Sequence, residues 1–160
     1  AKQALQYGSA HTMAQAMKNE QSESARLKAA REAAIVDRWL ADLAGLPGVS
    51  ASRHADWTGN PITRVKLKLT PEAGLFAWEL AERAMQGSPA VALRDDLSMH
   101  HLIFLDPCNV TEAEAPLVTA RIREVCDTAR ARGDGLRRSW AEEKAARGRA
   151  GTPWIGGRGD

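Results

Sequence analysis

Residues Gly87 to Pro107, GSPAVALRDDLSMHHLIFLDP, decide the fold, because they predict two short strands joined by a polar turn. Val91 and Leu93 alternate with small or polar residues, which is typical of a strand with one large-residue face. Residues 95–98 have turn chemistry. Residues 101–105 are almost continuously apolar, as expected of a strand covered on both faces. The proline that ends the stretch cannot donate to a sheet, so we expect pairing to end just before it.

The flanking sequence supplies the other elements of the predicted domain. The segment TRVKLKL alternates strictly, with Val65, Leu67 and Leu69 on one face and basic residues on the other. Apolar residues at helical spacing indicate the helices. We predict helices over about 22–45, 71–86 and 114–130, and strands over 63–69, 90–94 and 101–105, with a further short strand near 49–53. This order predicts an α+β fold in which a long N-terminal connecting helix leads into a small two-layer domain. Its sheet has three or four mostly antiparallel strands and is covered by helices.

Two helix starts have capping signals. Thr70 is expected to cap a helix whose first residue is Pro71. Residues 111–114, TEAE, match a capping box, but Pro116 follows closely, so that helix is alternatively expected to begin near Ala115.

Composition excludes several classes of protein. The chain has 160 residues, enough for one domain with or without tails, and 22 basic against 20 acidic residues give a net charge of +2. That charge does not indicate a nucleic-acid partner. The longest apolar run is too short for a membrane span of about 20 residues. Cys108 and Cys126 form no disulfide framework, so we expect reduced thiols in a cytoplasmic protein. The first residue, Ala1, suggests a processed chain or a fragment.

Few residues have the chemistry of an active site. The sequence contains no glycine-rich phosphate loop and no nucleophile elbow. His100 and His101 are adjacent on a predicted strand and point to opposite faces, so we predict no metal site. Arg94 closes an apolar strand beside a turn, where its planar fork suits a carboxylate or phosphate. The alternative is a structural salt bridge from Arg94 to Asp95, Asp96 or Asp106.

Several segments, taken in order, resemble the C-terminal small domain of fold-type-I pyridoxal-phosphate enzymes. The resemblance is to the selenocysteine synthase-like group, which includes L-seryl-tRNA(Sec) selenium transferase and the D-glucosaminate-6-phosphate ammonia-lyase relatives. The order of the segments is more specific than any one of them. The segments are AMK (16–18), WLADLAGLPGV (39–49), RVKLKL (64–69), AMQGSPAVALR (84–94) followed by LIFLDP (102–107), and VTEAEAPLVTARIREV (110–125).

The resemblance implies part of a transferase or lyase that acts on an amino-acid-like substrate and is catalytically incomplete alone. Pyridoxal phosphate would be held by a large domain outside this chain, which also supplies the Schiff-base lysine, in a homo-oligomeric enzyme. The resemblance implies that Arg94 binds the anionic group of the substrate. Lys18 is a second candidate, for the cofactor phosphate. No catalytic residue is assigned to this chain.

The implied organisation has four parts. Residues 1–19 pack on the absent large domain, 20–45 form the connecting helix, 46–132 form the small α+β domain, and 133–160 form a mobile basic tail with a candidate helix near 139–147. The alternative function is a free-standing, non-enzymatic interaction module. Trp57, Trp140 and Trp154 lie in predicted loops or tail and motivate it, because aromatic anchors are frequent at interfaces.

Overall fold

A computed structural model describes residues 2–56, 59 and 62–151. The α+β prediction is confirmed: within the described residues a long helix precedes a three-stranded antiparallel sheet with further helices. The elements are α1 (Lys2–Leu43), β1 (Val49–Ala55), β2 (Thr63–Leu69), α2 (Ala77–Met85), β3 (Leu102–Leu105), α3 (Ala115–Arg132) and α4 (Trp140–Gly151). None of the helices in these ranges is both long and apolar enough to cross a membrane.

The sheet has β2 at its centre, paired with β1 on one side and β3 on the other. The bounds of β2 match the predicted strand at both ends, because strict alternation is the clearest strand signal. Val65, Leu67 and Leu69 are buried in the core beneath the helices. Lys66 and Lys68 lie on the opposite face, which we call the open face.

The C-terminal part of α1 packs against α3. Trp39 is fully buried, and its indole N–H donates to the carbonyl of Ala115 over 2.9 Å. The guanidinium of Arg123 donates to the carbonyls of Asp42 (2.5 Å) and Ala44 (2.8 Å). Carbonyls at a helix end have no partner within the helix, so Arg123 satisfies them and fixes the turn that follows α1.

The helix α1 begins about twenty residues before the predicted start. Alanine and glutamine are frequent here and favour helix even where an apolar period is lacking. The described side chains between residues 13 and 31 are exposed, and Glu32 is the first buried one. That residues 1–19 pack on a large domain stays a prediction.

The strand predicted at 90–94 is wrong except at its last residue. Arg94 forms a single bridge with Phe104. The N–H of Val91 donates instead to the carbonyl of Ala84 at the end of α2, over 3.0 Å. The segment therefore packs back on the helix, and only its end reaches the sheet. The partner strand begins at Leu102, one residue later than predicted, and its residues 103–105 are buried as expected.

The helix predicted over 71–86 is divided. Residues Pro71–Ala73 form a 3-10 turn, Gly74 adopts a left-handed conformation (φ 81°), and α2 starts at Ala77. Thr70 does not cap the turn, since its hydroxyl donates to the carbonyl of Gly48 over 3.4 Å.

The start of α3 agrees with the alternative prediction. The reciprocal Thr111–Glu114 contacts of the capping box form (2.8–3.3 Å), but the helix begins at Ala115.

Residues 134–140 contact α2, although composition predicted a mobile tail over 133–160, of which 152–160 lie outside the described residues. The candidate helix near 139–147 corresponds to α4. Ser139 and Glu142 form a capping pair at its start, with the hydroxyl 2.7 Å from the carboxylate. Trp140 lies against Trp78 of α2, with ring centroids 5.5 Å apart. Trp140 is therefore part of the packing between the two helices, while Trp57 and Trp154 lie outside the described residues.

Candidate anion-binding site at Arg94

Arg94 lies at the edge of the sheet beside β3. Its N–H donates to the carbonyl of Phe104 over 3.2 Å, and the N–H of Phe104 donates back over 3.0 Å. Lys66 pairs with the same Phe104 from the other side. Paired residues share a face of a sheet, so Arg94 and Lys66 both lie on the open face.

The guanidinium of Arg94 forms a two-point ion pair with Asp96. The Nε atom lies 3.0 Å from Oδ1, and Nη2 lies 3.3 Å from Oδ2. The hydrogen bond from Arg94 is the largest influence on the carboxyl of Asp96, and it holds the pKa of that group below its usual range. Both side chains keep about two fifths of their surface in solvent, at 39% and 46%. The guanidinium of Arg94 is thus already paired with a carboxylate and is partly exposed to solvent. The contact is therefore compatible with both a structural salt bridge and a binding role for Arg94.

The neighbouring Asp95 is held from the other side by α4. Its carboxylate accepts a hydrogen bond from Nη2 of Arg147 over 2.7 Å. The Nε atom of Arg147 donates to Glu143, also over 2.7 Å, and Arg138 donates to the second oxygen of Glu143. A shallow cleft of about 320 Å³ opens beside these residues, between α2, residues 92–95 and α4.

Lys18 lies far from this site along α1. It is exposed, and it precedes Glu32, the first of the described side chains of α1 to be buried, by about 21 Å of helix axis. The structure therefore places Lys18 and Arg94 on separate surfaces. The roles of Lys18 at a cofactor phosphate and of Arg94 at a substrate stay predictions.

A second polar cluster, which the sequence did not predict, lies where β2 begins and β3 ends. Arg64 is 8% exposed and pairs with Asp56 (3.1 Å) and Asp106 (2.9 Å). Asp106 also accepts from the N–H of Cys108 over 3.1 Å. Burial, and then the carboxylate of Asp106, raises the pKa of the Cys108 thiol to about 11. A thiol with this pKa is protonated at neutral pH, so Cys108 is not an activated nucleophile.

The remaining histidines and cysteines do not form a metal site in the described part of the chain. No group of three or more histidine, cysteine, aspartate or glutamate side chains is placed to hold an ion there. His101 instead lies beside the rings of Phe76 and Trp78, with centroids 5.8 and 5.6 Å away. Its φ of 60° places it just before β3 rather than within it.

Comparison with known proteins gives a structural likeness but no match of sequence family. No protein-family model matches the chain, and a search of curated proteins finds no match. Among solved structures, the chain is similar to D-glucosaminate-6-phosphate ammonia-lyase, with a TM-score of 0.54 and 27% sequence identity. The similarity covers 57% of this chain and 25% of that one, so the chain corresponds to about a quarter of the length of the enzyme it resembles.

Proposed function

We propose that this chain is the C-terminal small domain of a pyridoxal-phosphate-dependent lyase or transferase of the selenocysteine synthase-like group. The observation that supports it most is the likeness to D-glucosaminate-6-phosphate ammonia-lyase, which extends over a quarter of that enzyme. The ordered segments, including Gly-x-Pro before the segment that ends at Arg94 and Asp-Pro after β3, agree with the same group. The substrate would be amino-acid-like, and the reaction an elimination or transfer at that substrate.

The proposal does not place the cofactor on the described residues of this chain. Pyridoxal phosphate acts as an electron sink when it is bound through a lysine. Such a lysine needs a lowered pKa, which burial or a neighbouring cation supplies. Among the lysines whose side chains the structure describes, none is buried. The proposal therefore assigns the cofactor to a large domain outside this chain, together with the oligomer interface.

Arg94 is the residue of this chain that we assign to the substrate. Its ion pair with Asp96 has two hydrogen bonds to a carboxylate and lies in solvent. Exposed ion pairs contribute at most about 1 kcal/mol, so a substrate carboxylate can replace Asp96 at small cost. Binding of the substrate anion by a planar fork also fixes its orientation.

The test is Arg94→Lys in the enzyme reconstituted with the large domain. Lysine keeps the charge but loses the two-point geometry, so we expect kcat/KM to fall by roughly thirty- to a thousandfold, with the melting temperature nearly unchanged. Arg53→Lys is the matched control, because Arg53 pairs with Asp37 on the helical side of the sheet. Normal kinetics for Arg94→Lys, with a lowered melting temperature, would remove Arg94 from the substrate site.

A second test separates this proposal from a free-standing interaction module. The isolated chain mixed with pyridoxal phosphate should show no absorbance band of a lysine-bound cofactor. A band that disappears when a lysine of this chain is replaced would overturn the assignment of the cofactor to another domain.

A neighbouring reading frame, or an extension of the same one, that encodes a lysine-bearing large domain would support the enzyme, whereas a stand-alone gene would support the module.

A further inference from the structure

Helix α4 makes a direct contact with the turn that carries Arg94. The carboxylate of Asp95, the next residue in the chain, lies 2.7 Å from Nη2 of Arg147. The other edge of the Arg147 guanidinium is held by Glu143, which is 5% exposed and also accepts from Arg138. The ring of Trp140 lies 5.7 Å below the same guanidinium. Arg147 is therefore held by Glu143 and Trp140 of its own helix while it contacts Asp95.

The position of α4 does not depend on its contact with Asp95. The carboxylate of Glu79 in α2 accepts from the backbone N–H of Leu136 (2.9 Å) and of Arg137 (3.3 Å). The indole of Trp78 donates to the carbonyl of Arg138 over 3.0 Å. Arg83 donates to both the carboxylate and the carbonyl of Asp134. These contacts attach the segment before α4 to α2, so Arg147 extends from a support that belongs to the domain core.

Arg94 is joined to the neighbouring strand β3 at a single bridge, and a turn follows it. A regular strand pairs over several residues, but Arg94 joins the sheet through one bridge with Phe104. Within the turn, the N–H of Ser98 donates to the carbonyl of Asp95 over 2.9 Å, and the N–H of Leu102 in β3 donates to the carbonyl of Leu97 over 3.3 Å. A segment held by one bridge opens more readily than a strand in a ladder, and a side-chain contact next to Arg94 limits that motion.

We propose that Arg147 is a positioning residue, which holds Asp95 so that the neighbouring Arg94 keeps its guanidinium at a fixed place on the open face for the anionic group of the substrate. The inference rests on the proposed role of Arg94. It gives the C-terminal helix, which has no counterpart in the segments that resemble the enzyme family, a task in substrate binding. A positioning residue acts through geometry, and small displacements of a binding group reduce binding and turnover strongly.

The first experiment needs no activity. Amide exchange of the 160-residue chain is followed by NMR for the wild type, Arg147→Gln and the matched control Lys144→Gln, which removes an exposed charge from the same helix. We expect the amides of Arg94 and Phe104 to exchange about fivefold faster in Arg147→Gln alone, with the β1–β2 ladder unchanged. Unchanged exchange at Arg94 would overturn the proposal. Equal acceleration throughout the sheet would also overturn it, since Arg147 would then support stability in general.

The second experiment measures kinetics in the reconstituted enzyme. Arg147→Gln should raise KM about five- to tenfold with kcat nearly unchanged, and Arg147→Lys should recover part of the loss, since lysine can still donate to Asp95. The double variant with Asp95→Asn should be no worse than Arg147→Gln, because both remove one contact. A normal KM for Arg147→Gln, where Arg94→Lys is impaired, would refute the positioning role. Normal kinetics for Arg94→Lys would refute the proposed function instead, and the exchange experiment would still decide whether α4 holds the turn.

Discussion

Arg64 in β2 and Asp106 at the end of β3 form an ion pair in which the guanidinium is almost fully removed from solvent, with Nε 2.9 Å from Oδ2. Their strands are neighbours, so the pair joins the sheet at the point where the chain leaves it. A buried guanidinium that loses a partner cannot recover water, so the loss is more costly than at the surface.

Asp106→Ala should therefore lower the free energy of unfolding by about 2–3 kcal/mol, less than for an isolated buried pair because Asp56 still pairs with Arg64. Urea denaturation followed by circular dichroism measures this. Asp96→Asn is the matched control, since it breaks the exposed pair with Arg94 and should cost at most about 1 kcal/mol. Equal losses for the two variants would show that burial of Arg64 adds nothing.

Stability should fall in acid through Asp106 and Glu143. Burial opposes ionisation of Asp106, but the N–H of Cys108 and the guanidinium of Arg64 outweigh it and hold its pKa below the usual range. Burial is likewise outweighed at Glu143, where Arg147 and Arg138 hold the pKa low. A carboxyl whose pKa is lower in the folded state stabilises the fold above its unfolded value, roughly 3.9–4.3, and this contribution disappears as pH falls through the folded value.

Urea denaturation between pH 7 and pH 3 should show this loss in the wild-type chain. Asp106→Asn should be less stable at pH 7 but lose less stability on acidification. Lys68→Gln, which removes an exposed basic charge on the open face, should leave the wild-type acid dependence unchanged. An Asp106→Asn curve parallel to that of the wild type would contradict the assignment.

The two thiols should react slowly in the native state. Burial raises the pKa of Cys126 to about 11, and burial together with the carboxylate of Asp106 does the same for Cys108. At pH 8 the thiolate fraction is then on the order of 0.001, so alkylation by iodoacetamide should be about a hundredfold slower than in the denatured chain. Mass spectrometry of peptides follows the two sites separately.

Asp106→Asn supplies an internal control for the thiol experiment. It removes a negative charge beside Cys108, which lowers the pKa of that thiol, and should accelerate its alkylation while Cys126 stays slow. If both thiols react rapidly in the native wild-type chain, the raised pKa values are wrong.

Gly48 and Gly45 provide a matched pair for the turn after α1. Both have left-handed φ angles, 71° and 69°, which an L side chain adopts only with strain. A Cβ atom on Gly48 would lie 1.9 Å from the backbone nitrogen of Ala73, whereas one on Gly45 would meet no described atom within 4 Å. Gly45→Ala should cost about 1 kcal/mol, and Gly48→Ala about 3 kcal/mol or more, since backbone must also move. Thermal melting compares them, and similar melting temperatures would contradict the close approach.

The elements that the sequence predicts well are those whose signals are local. The alternation of residues 63–69 predicts both ends of β2 correctly. The capping pair Thr111–Glu114 with the following proline predicts the start of α3. The prediction of a strand at 90–94 is wrong because the N–H of Val91 donates a hydrogen bond to the carbonyl of Ala84, a partner that no local pattern reveals. The packing of the segment that contains Leu136 and Arg138 likewise depends on Trp78 and Glu79, which lie more than fifty residues earlier in the chain.

The two charged clusters also differ in whether their partners are close by in the sequence. That Arg94 would meet a nearby aspartate was among the alternatives, since Asp96 lies two residues away. The burial of Arg64 was not predictable, because the alternating pattern gives it the same face as Lys66 and Lys68. What distinguishes Arg64 is its two aspartate partners, Asp56 and Asp106, which come from separate parts of the chain.

Because α1 is long and its C-terminal part is buried in the domain, a small rotation there displaces its N-terminal end by a large distance. Among the side chains that the structure describes, the buried ones of α1 begin at Glu32 and Ile35, and about thirty residues, or about 45 Å of helix, precede them. A rotation of about 5° about the buried part of α1 displaces its first turn by about 4 Å, which is close to the spacing between neighbouring strands. Repacking of Trp39 against α3 by a few degrees would therefore move the far end of α1 by several ångströms.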